Sequence, residues 1–197
     1  MLAVMASSIT PSAAGLRTLS HPTRLRMLML LRLEGPATAT QLAHELKLNT
    51  GATSYHLRQL ADHGFIVEDT ERGDARDRWW RAAHGSTRAN LTDRPDDEDA
   101  EDAEAYLQSV ALLYTESLMQ AVGERRYLPE AWQRASTTSD WHLHLTAPRA
   151  EQLVDAIAAL IEQWAEEEPD AEGVASFVVN VNAFPRPGTV VLEGPER

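Results

Sequence analysis

The chain has 197 residues and no cysteine, and its 30 acidic against 18 basic groups give a formal net charge of −12. That length fits one ordinary domain or two small ones, and the missing cysteines exclude disulfides, thiolate metal sites and cysteine nucleophiles while suiting a reducing cytoplasm. The charge is divided: residues 1–88 carry eleven basic and eight acidic groups, a net of +3, which leaves −15 beyond them, so only the first part is expected to tolerate a polyanion.

The opening MLAVMASSIT lacks a basic leader and a long apolar core, so neither a signal peptide nor a membrane span is expected. Pro22 suits the first turn of a helix, Leu25, Leu28 (or Met29), Leu31 and Leu33 make its apolar face, and Gly35-Pro36 ends it. In TATQLAHEL, Thr38 and Gln41 have the spacing of a capping box, with Leu42, Ala43 and Leu46 following at helical intervals. After a break at Leu48-Asn49, Thr53, Leu57, Leu60 and Ala61 recur at i, i+4, i+7 and i+8 and should face inward. Gly51, Ser54, Tyr55, Arg58 and Asp62 then lie opposite, and Gly64 caps the end. FIVEDTE and DRWWRAA read as two strands around an RGDA tip, with one of Trp79 and Trp80 turned inward.

Residues 89–104 are acidic and read as a solvated linker grading into a helix near 105–123. That helix has Leu107, Val110, Tyr114, Ser117 (or Leu118) and Ala121 on one stripe, with Leu113, Met119 and Val122 as a second apolar area. Apolar area on two sides predicts burial on two sides, one of them by a second subunit. Further on, Trp141, Leu143 and Leu145 alternate with His142 and His144 as in a half-buried strand. A helix from near Pro148 would turn Leu153, Ile157, Leu160, Ile161 and Trp164 inward, and VASFVVNVNAF alternates again. The expected class is α+β: an N-terminal winged helix-turn-helix domain over 1–88, the linker, then 105–197 as a long helix and a small βαβ-type module for dimerisation and effector binding.

The physical case for DNA rests on three groups. Thr38, Thr40 and Gln41 stand at a helix start whose free N–H groups suit a phosphate. The next helix presents small groups: Gly51 costs about 1 kcal/mol of helix propensity against alanine, and its lack of bulk lets the backbone approach base edges. Arg72, Arg76 and Arg78 on the hairpin can reach phosphate or a narrow minor groove. Arg24 and Arg26 are as able to pair with Glu34 or Asp62 as to contact phosphate. His142-x-His144 puts two imidazoles on one strand face, a beginning of a metal site that needs a third ligand. No glycine-rich phosphate loop or hydrolase motif stands in the chain, and no enzyme or cofactor is expected.

HPTRLRMLMLL, TATQLAHEL and TSYHLRQLADHGFI with the strands after it resemble the winged-helix domain of ArsR-type bacterial transcriptional regulators, over roughly residues 12–84. The later part resembles a branch of that family with an added C-terminal domain. The resemblance implies that Thr50, Ser54 and Tyr55 point toward the major groove and that Arg58, with Gln59 beside it, lies near the DNA backbone. Gly51 stands where the family commonly has serine and Tyr55 where it commonly has histidine, so base preference does not transfer. The implied protein is a cytoplasmic homodimeric repressor on double-stranded DNA, open to an unidentified small-molecule effector. Two other readings are a protein-interaction module using the winged helix and a metal-responsive regulator sensing through the C-terminal module.

Overall fold

The computed structural model describes residues 8–72, 77–88, 97–164 and 171–191, and the chain divides into two compact units, Met1–Thr137 and Thr138–Arg197. In chain order the first unit holds β1 (Ser8–Ile9), α1 (Ala13–Leu19), α2 (Pro22–Leu33), β2 (Ala37–Thr38), α3 (Ala39–Glu45), α4 (Thr50–Asp62), β3 (Ile66–Glu68), β4 (Trp79–Ala82), β5 (Ser86–Thr87) and α5 (Asp97–Glu124). A 3-10 turn, Arg125–Tyr127, and α6 (Glu130–Ala135) complete it.

The capping rules hold where expected, whereas Leu33, expected on the apolar face of α2, is 39% exposed at the helix end. Pro22 opens α2 behind His21, whose imidazole Nδ1 accepts from the Thr23 N–H at 3.2 Å. At α3 the capping box forms in both directions: Thr38 Oγ1 accepts from Gln41 N–H at 3.2 Å, and Gln41 Oε1 accepts from Thr38 N–H at 2.8 Å. Asn49 caps α4 by accepting from Ala52 N–H at 2.8 Å. The far end of α4 closes by paired bonds, Phe65 N–H to Leu60 C=O and Gly64 N–H to Ala61 C=O, with Gly64 at φ +73°. Only glycine takes that left-handed position without cost. The turn from α3 to α4 has the same bond pattern, Leu48 N–H to Ala43 C=O and Lys47 N–H to His44 C=O, but Lys47 holds the left-handed position at φ 54°.

β3 and β4 pair antiparallel, Ile66 opposite Ala82 and Glu68 opposite Trp80, and β2 adds to the other edge of β4 with Ala37 opposite Trp80. The hairpin is therefore a wing in a three-stranded sheet; its tip, 73–76, lies outside the described residues. β5 pairs parallel with β1, Ile9 opposite Thr87. One apolar cluster joins Leu16 and Leu19 of α1, Leu25, Leu28 and Leu31 of α2, Leu57 and Leu60 of α4, Phe65, Ile66 and Trp80. Each such side chain contributes about 1.5–3 kcal/mol by leaving water. Gly15 is needed at the closest approach, because a Cβ there would stand 3.2 Å from Pro11 Cβ and 3.3 Å from Phe65 Cζ.

The long helix begins at Asp97, so part of the acidic stretch expected as linker is helical. Ala103 and Tyr106 enter the same core as the winged helix. The compact body thus runs to Thr137 instead of ending at Arg88. The packed stripe is Ala103, Tyr106, Val110 and Leu113, while Leu107, expected inside, is 48% exposed. Small Ala103 and Ser109 let α5 approach α1 and α2 closely, and that sets the rotation; Ser109 Oγ donates to Ser20 C=O at 2.7 Å. Arg17 bonds Asp102 at 2.5 Å, and one Arg26 nitrogen reaches both Glu116 oxygens at 2.8 and 2.6 Å. Neither Glu34 nor Asp62 is Arg26's partner. Arg24 spends its guanidinium on the carbonyls of Thr18 and Arg17.

Arg32 is half-buried between α2 and β5. Its Nε donates to His84 C=O and its Nη2 to Thr87 Oγ1, both at 2.9 Å, which ties α2 to β5. Burial lowers its pKa to about 10 against the pull of the Tyr106 and Tyr114 phenols, and burial raises Tyr106 to about 12.

In the second unit the central helix is present as α7 (Ala147–Glu162). The flanking segments expected as strands form no ladder with any described residue. Leu153, Leu160, Ile161 and Trp164, expected inward, are 37, 57, 41 and 77% exposed. Ile157 and Ala158 are half-buried, and no described residue of this unit is fully buried.

Candidate nucleic-acid interface

The helix-turn-helix is formed by α3 and α4, with α4 as the exposed element. Thr53, Leu57 and Leu60 are fully buried along its rear, and Thr53 Oγ1 donates to Asn49 C=O at 3.1 Å. The rest of each turn is thereby turned out: Thr50, Gly51, Tyr55 and Arg58 are exposed and Ser54 half-exposed. The periodicity of the sequence and the observed rotation agree at every one of these positions.

Thr38, Thr40, Thr50, Ser54, Arg58 and Arg78 converge on one open concavity of about 350 Å³ between the start of α3, the front of α4 and the wing. Ala39, Asp77 and Trp80 complete its lining. Arg58 folds back along its helix, donating from Nε to Ser54 C=O at 3.2 Å. Arg78 lies 5.6 Å over the Trp80 ring and pairs with Glu68 at 3.2 Å. The lining thus carries two arginines, four hydroxyls and one carboxylate, Asp77.

Other expected residues lie elsewhere. Gly51 and Tyr55 do not line the hollow. Gln41 lines a separate depression with Glu34, Thr40 and Glu45, and its carbonyl is committed to the capping box. Gln59 is half-buried beside Arg58. Arg72 sits 3.8 Å from Asp69, which holds it along the wing. Arg76 falls outside the described residues. Trp80 is the inward tryptophan at 8% exposure.

A histidine pair was not singled out from the sequence. His56 of α4 packs its ring 4.6 Å from His21 and 5.5 Å from the Tyr55 ring, edge-on to the latter. Burial is the main force holding both imidazoles below their usual pKa; beside it, Arg24 acts on His21, and His21 and Arg24 act on His56. His56 Nδ1 is buried without a hydrogen-bond partner among the described residues. The cue available in the sequence was His56 at i+3 from inward Thr53, on the border of the apolar stripe. His142 and His144 are exposed, His142 lies 3.3 Å from Asp140, and no cluster of three or more metal-ligating side chains occurs among the described residues. No described helix is long and apolar enough to cross a membrane.

Comparison with known proteins fits this geometry. Residues 21–67 match the arsR family of bacterial regulatory proteins. The HTH-type transcriptional regulator YgaV of Escherichia coli is 37% identical over 71 residues, 36% of this chain and 70% of that protein. The chain belongs to the arsR family, with the winged helix-turn-helix of a DNA-binding transcriptional regulator. Among solved structures, an apo-form mutant of Lactococcus lactis ZitR is 19% identical, with 73% of this chain and 83% of that one covered at a TM-score of 0.33. A second ZitR mutant, also 19% identical, covers 72% of this chain and 73% of that one at 0.32.

Proposed function

We propose that the chain is a homodimeric repressor that binds specific double-stranded DNA sites and acts in the cytoplasm, as a binding protein and not an enzyme. The observation that carries this reading is the front of α4. Its rear is locked by three fully buried side chains, while Thr50, Ser54 and Arg58 converge with the wing's Arg78 on one open hollow. Thr50, Gly51, Ser54 and Tyr55 read base edges in the major groove. Arg58 and Arg78 hold phosphates, with Thr38, Thr40, Gln41 and Gln59 behind them and Arg72 and Arg76 on the wing. Small hydroxyls suit several base edges, and arginine suits phosphate.

The homodimer is supported by the outward side of α5, where Leu107, Leu112, Leu118, Met119 and Val122 are 46 to 65% exposed. A twofold pair would set two α4 helices in successive major grooves, roughly 34–36 Å apart. An effector would act only by binding the DNA-competent and incompetent arrangements unequally.

The test is fluorescence anisotropy with duplexes from genomic fragments, including the chain's own upstream region, across a salt series. Affinity should fall with log salt at a slope of about −0.9 per phosphate contact. Absence of salt-sensitive binding to any fragment overturns the proposal.

A further inference from the structure

We propose that Glu68 is a positioning residue for the DNA contact: its carboxylate holds the Nε side of Arg78 over the Trp80 ring, which leaves the terminal nitrogens of that guanidinium to a backbone phosphate at the hollow. The inference rests on the DNA-binding reading proposed above.

The sheet brings the three side chains together. Glu68 ends β3 directly opposite Trp80 of β4, and the pairing continues beyond it, Asp69 N–H donating to Trp79 C=O at 2.9 Å. Arg78 stands two residues before Trp80, on the same side of an extended chain. Glu68 and Arg78 are therefore diagonal neighbours, a spacing of roughly 7–8 Å that long side chains bridge. Arg78 Nε lies 3.2 Å from Glu68 Oε2, and the guanidinium carbon lies 5.6 Å from the centre of the Trp80 ring. Trp80 is 8% exposed and paired on both edges, with Glu68 and with Ala37, so its ring is a fixed platform that attracts a cation.

Only one end of this fork is committed. Arg78 Nη1 and Nη2 make no hydrogen bond to a described residue. Arg58 has the same arrangement: its Nε donates to Ser54 C=O at 3.2 Å, and its terminal nitrogens bond no described residue. Both guanidinium groups line the hollow with Thr38, Thr50 and Ser54. Terminal guanidinium N–H pairs are the part that matches two phosphate oxygens. Within α4 a carbonyl one turn back orders Arg58; Arg78 lies on the wing without such a turn, and Glu68 takes that role. Its charge opposes a phosphate while its oxygen orders the arginine, and the magnitudes differ. Immobilising a rotamer-rich side chain at an interface costs about two- to tenfold in affinity. An exposed carboxylate about 7 Å from a phosphate, screened by salt, costs under about twofold.

The test compares full-length Glu68→Gln and Glu68→Ala by fluorescence anisotropy on a random-sequence duplex and on the tightest-binding genomic duplex. Both substitutions remove the same charge, but only glutamine keeps an oxygen within reach of Arg78 Nε. Glutamine should bind as tightly as the parent or up to about twofold tighter, and alanine about two- to tenfold more weakly than glutamine. The ratio should appear on both duplexes, because phosphate carries no base identity. Glu68→Thr, a strand former equally unable to reach Nε, should match alanine, so a loss peculiar to alanine counts against the role. In an Arg78→Ala background all three should bind alike. A ratio under about twofold, or one that persists without Arg78, overturns the inference, as does an Arg78→Ala variant that binds as the parent does. Each of these removes this inference alone, whereas a parent chain without salt-sensitive binding removes the DNA reading and this inference with it.

Discussion

Gly51→Ala separates the stability of the recognition helix from its use. Gly51 is the second residue of α4, is exposed, and a Cβ built there meets only Asn49 Oδ1, at 3.4 Å, an ordinary contact. Alanine is worth about 0.8–1 kcal/mol over glycine in a helix interior and somewhat less in the first turn. The variant should therefore gain about 0.5–1 kcal/mol, raising Tm by roughly 2–5 °C for a body of this size. The same methyl stands on the exposed front of α4, where it would hold the backbone away from base edges. Losing one good base contact costs about 1–3 kcal/mol, so affinity for the preferred duplex should fall about 5- to 150-fold. Thermal melting by circular dichroism and anisotropy titration on the same preparations read both effects. A stabilised variant with unchanged affinity refutes the close-approach role; a destabilised one refutes the spatial argument.

Arg58→Ala should weaken binding to cognate and random duplexes alike and lower the salt slope by about one contact, whereas Ser54→Ala should change preference among sequences; equal effects of both on cognate and random DNA would sink the division of roles. Lys47→Gly relieves a left-handed residue in the turn between α3 and α4 and should raise stability by up to ~1 kcal/mol in urea unfolding, with an unchanged or lower midpoint counting against it. His21 and His56 resist protonation in the folded chain, while the unfolded chain accepts protons near the ordinary value of about 6.5. Stability is therefore full above that pH and falls as pH drops below it. Tm should be lower at pH 5.5 than at 7.5, and His56→Phe, which loses no hydrogen bond at Nδ1, should reduce the difference; an unaltered difference assigns the pH dependence elsewhere.

Much of the first unit was legible because its rules are local. A capping box spans three residues, a helical stripe repeats within one element, and Gly64 answers a left-handed turn. These determine themselves before any tertiary contact forms, and Thr38, Gln41, Thr53, Leu57 and Leu60 all stand as their spacing required. The front of α4 was legible as the complement of its rear. The histidine pair was not, because His21 and His56 are brought together only when α2 packs against α4.

The sequence by itself determined the winged helix-turn-helix and the face of α4 that meets solvent, because chain spacing alone dictates caps, stripes and turns. Tertiary structure decided the rest. It gathered the residues of α3, α4 and the wing into one hollow, committed Arg26 to Glu116 and Arg32 to β5, and rotated α5 by which side chains were small enough to approach α1. Alternation in a sequence states that a strand wants a partner but not which segment supplies it.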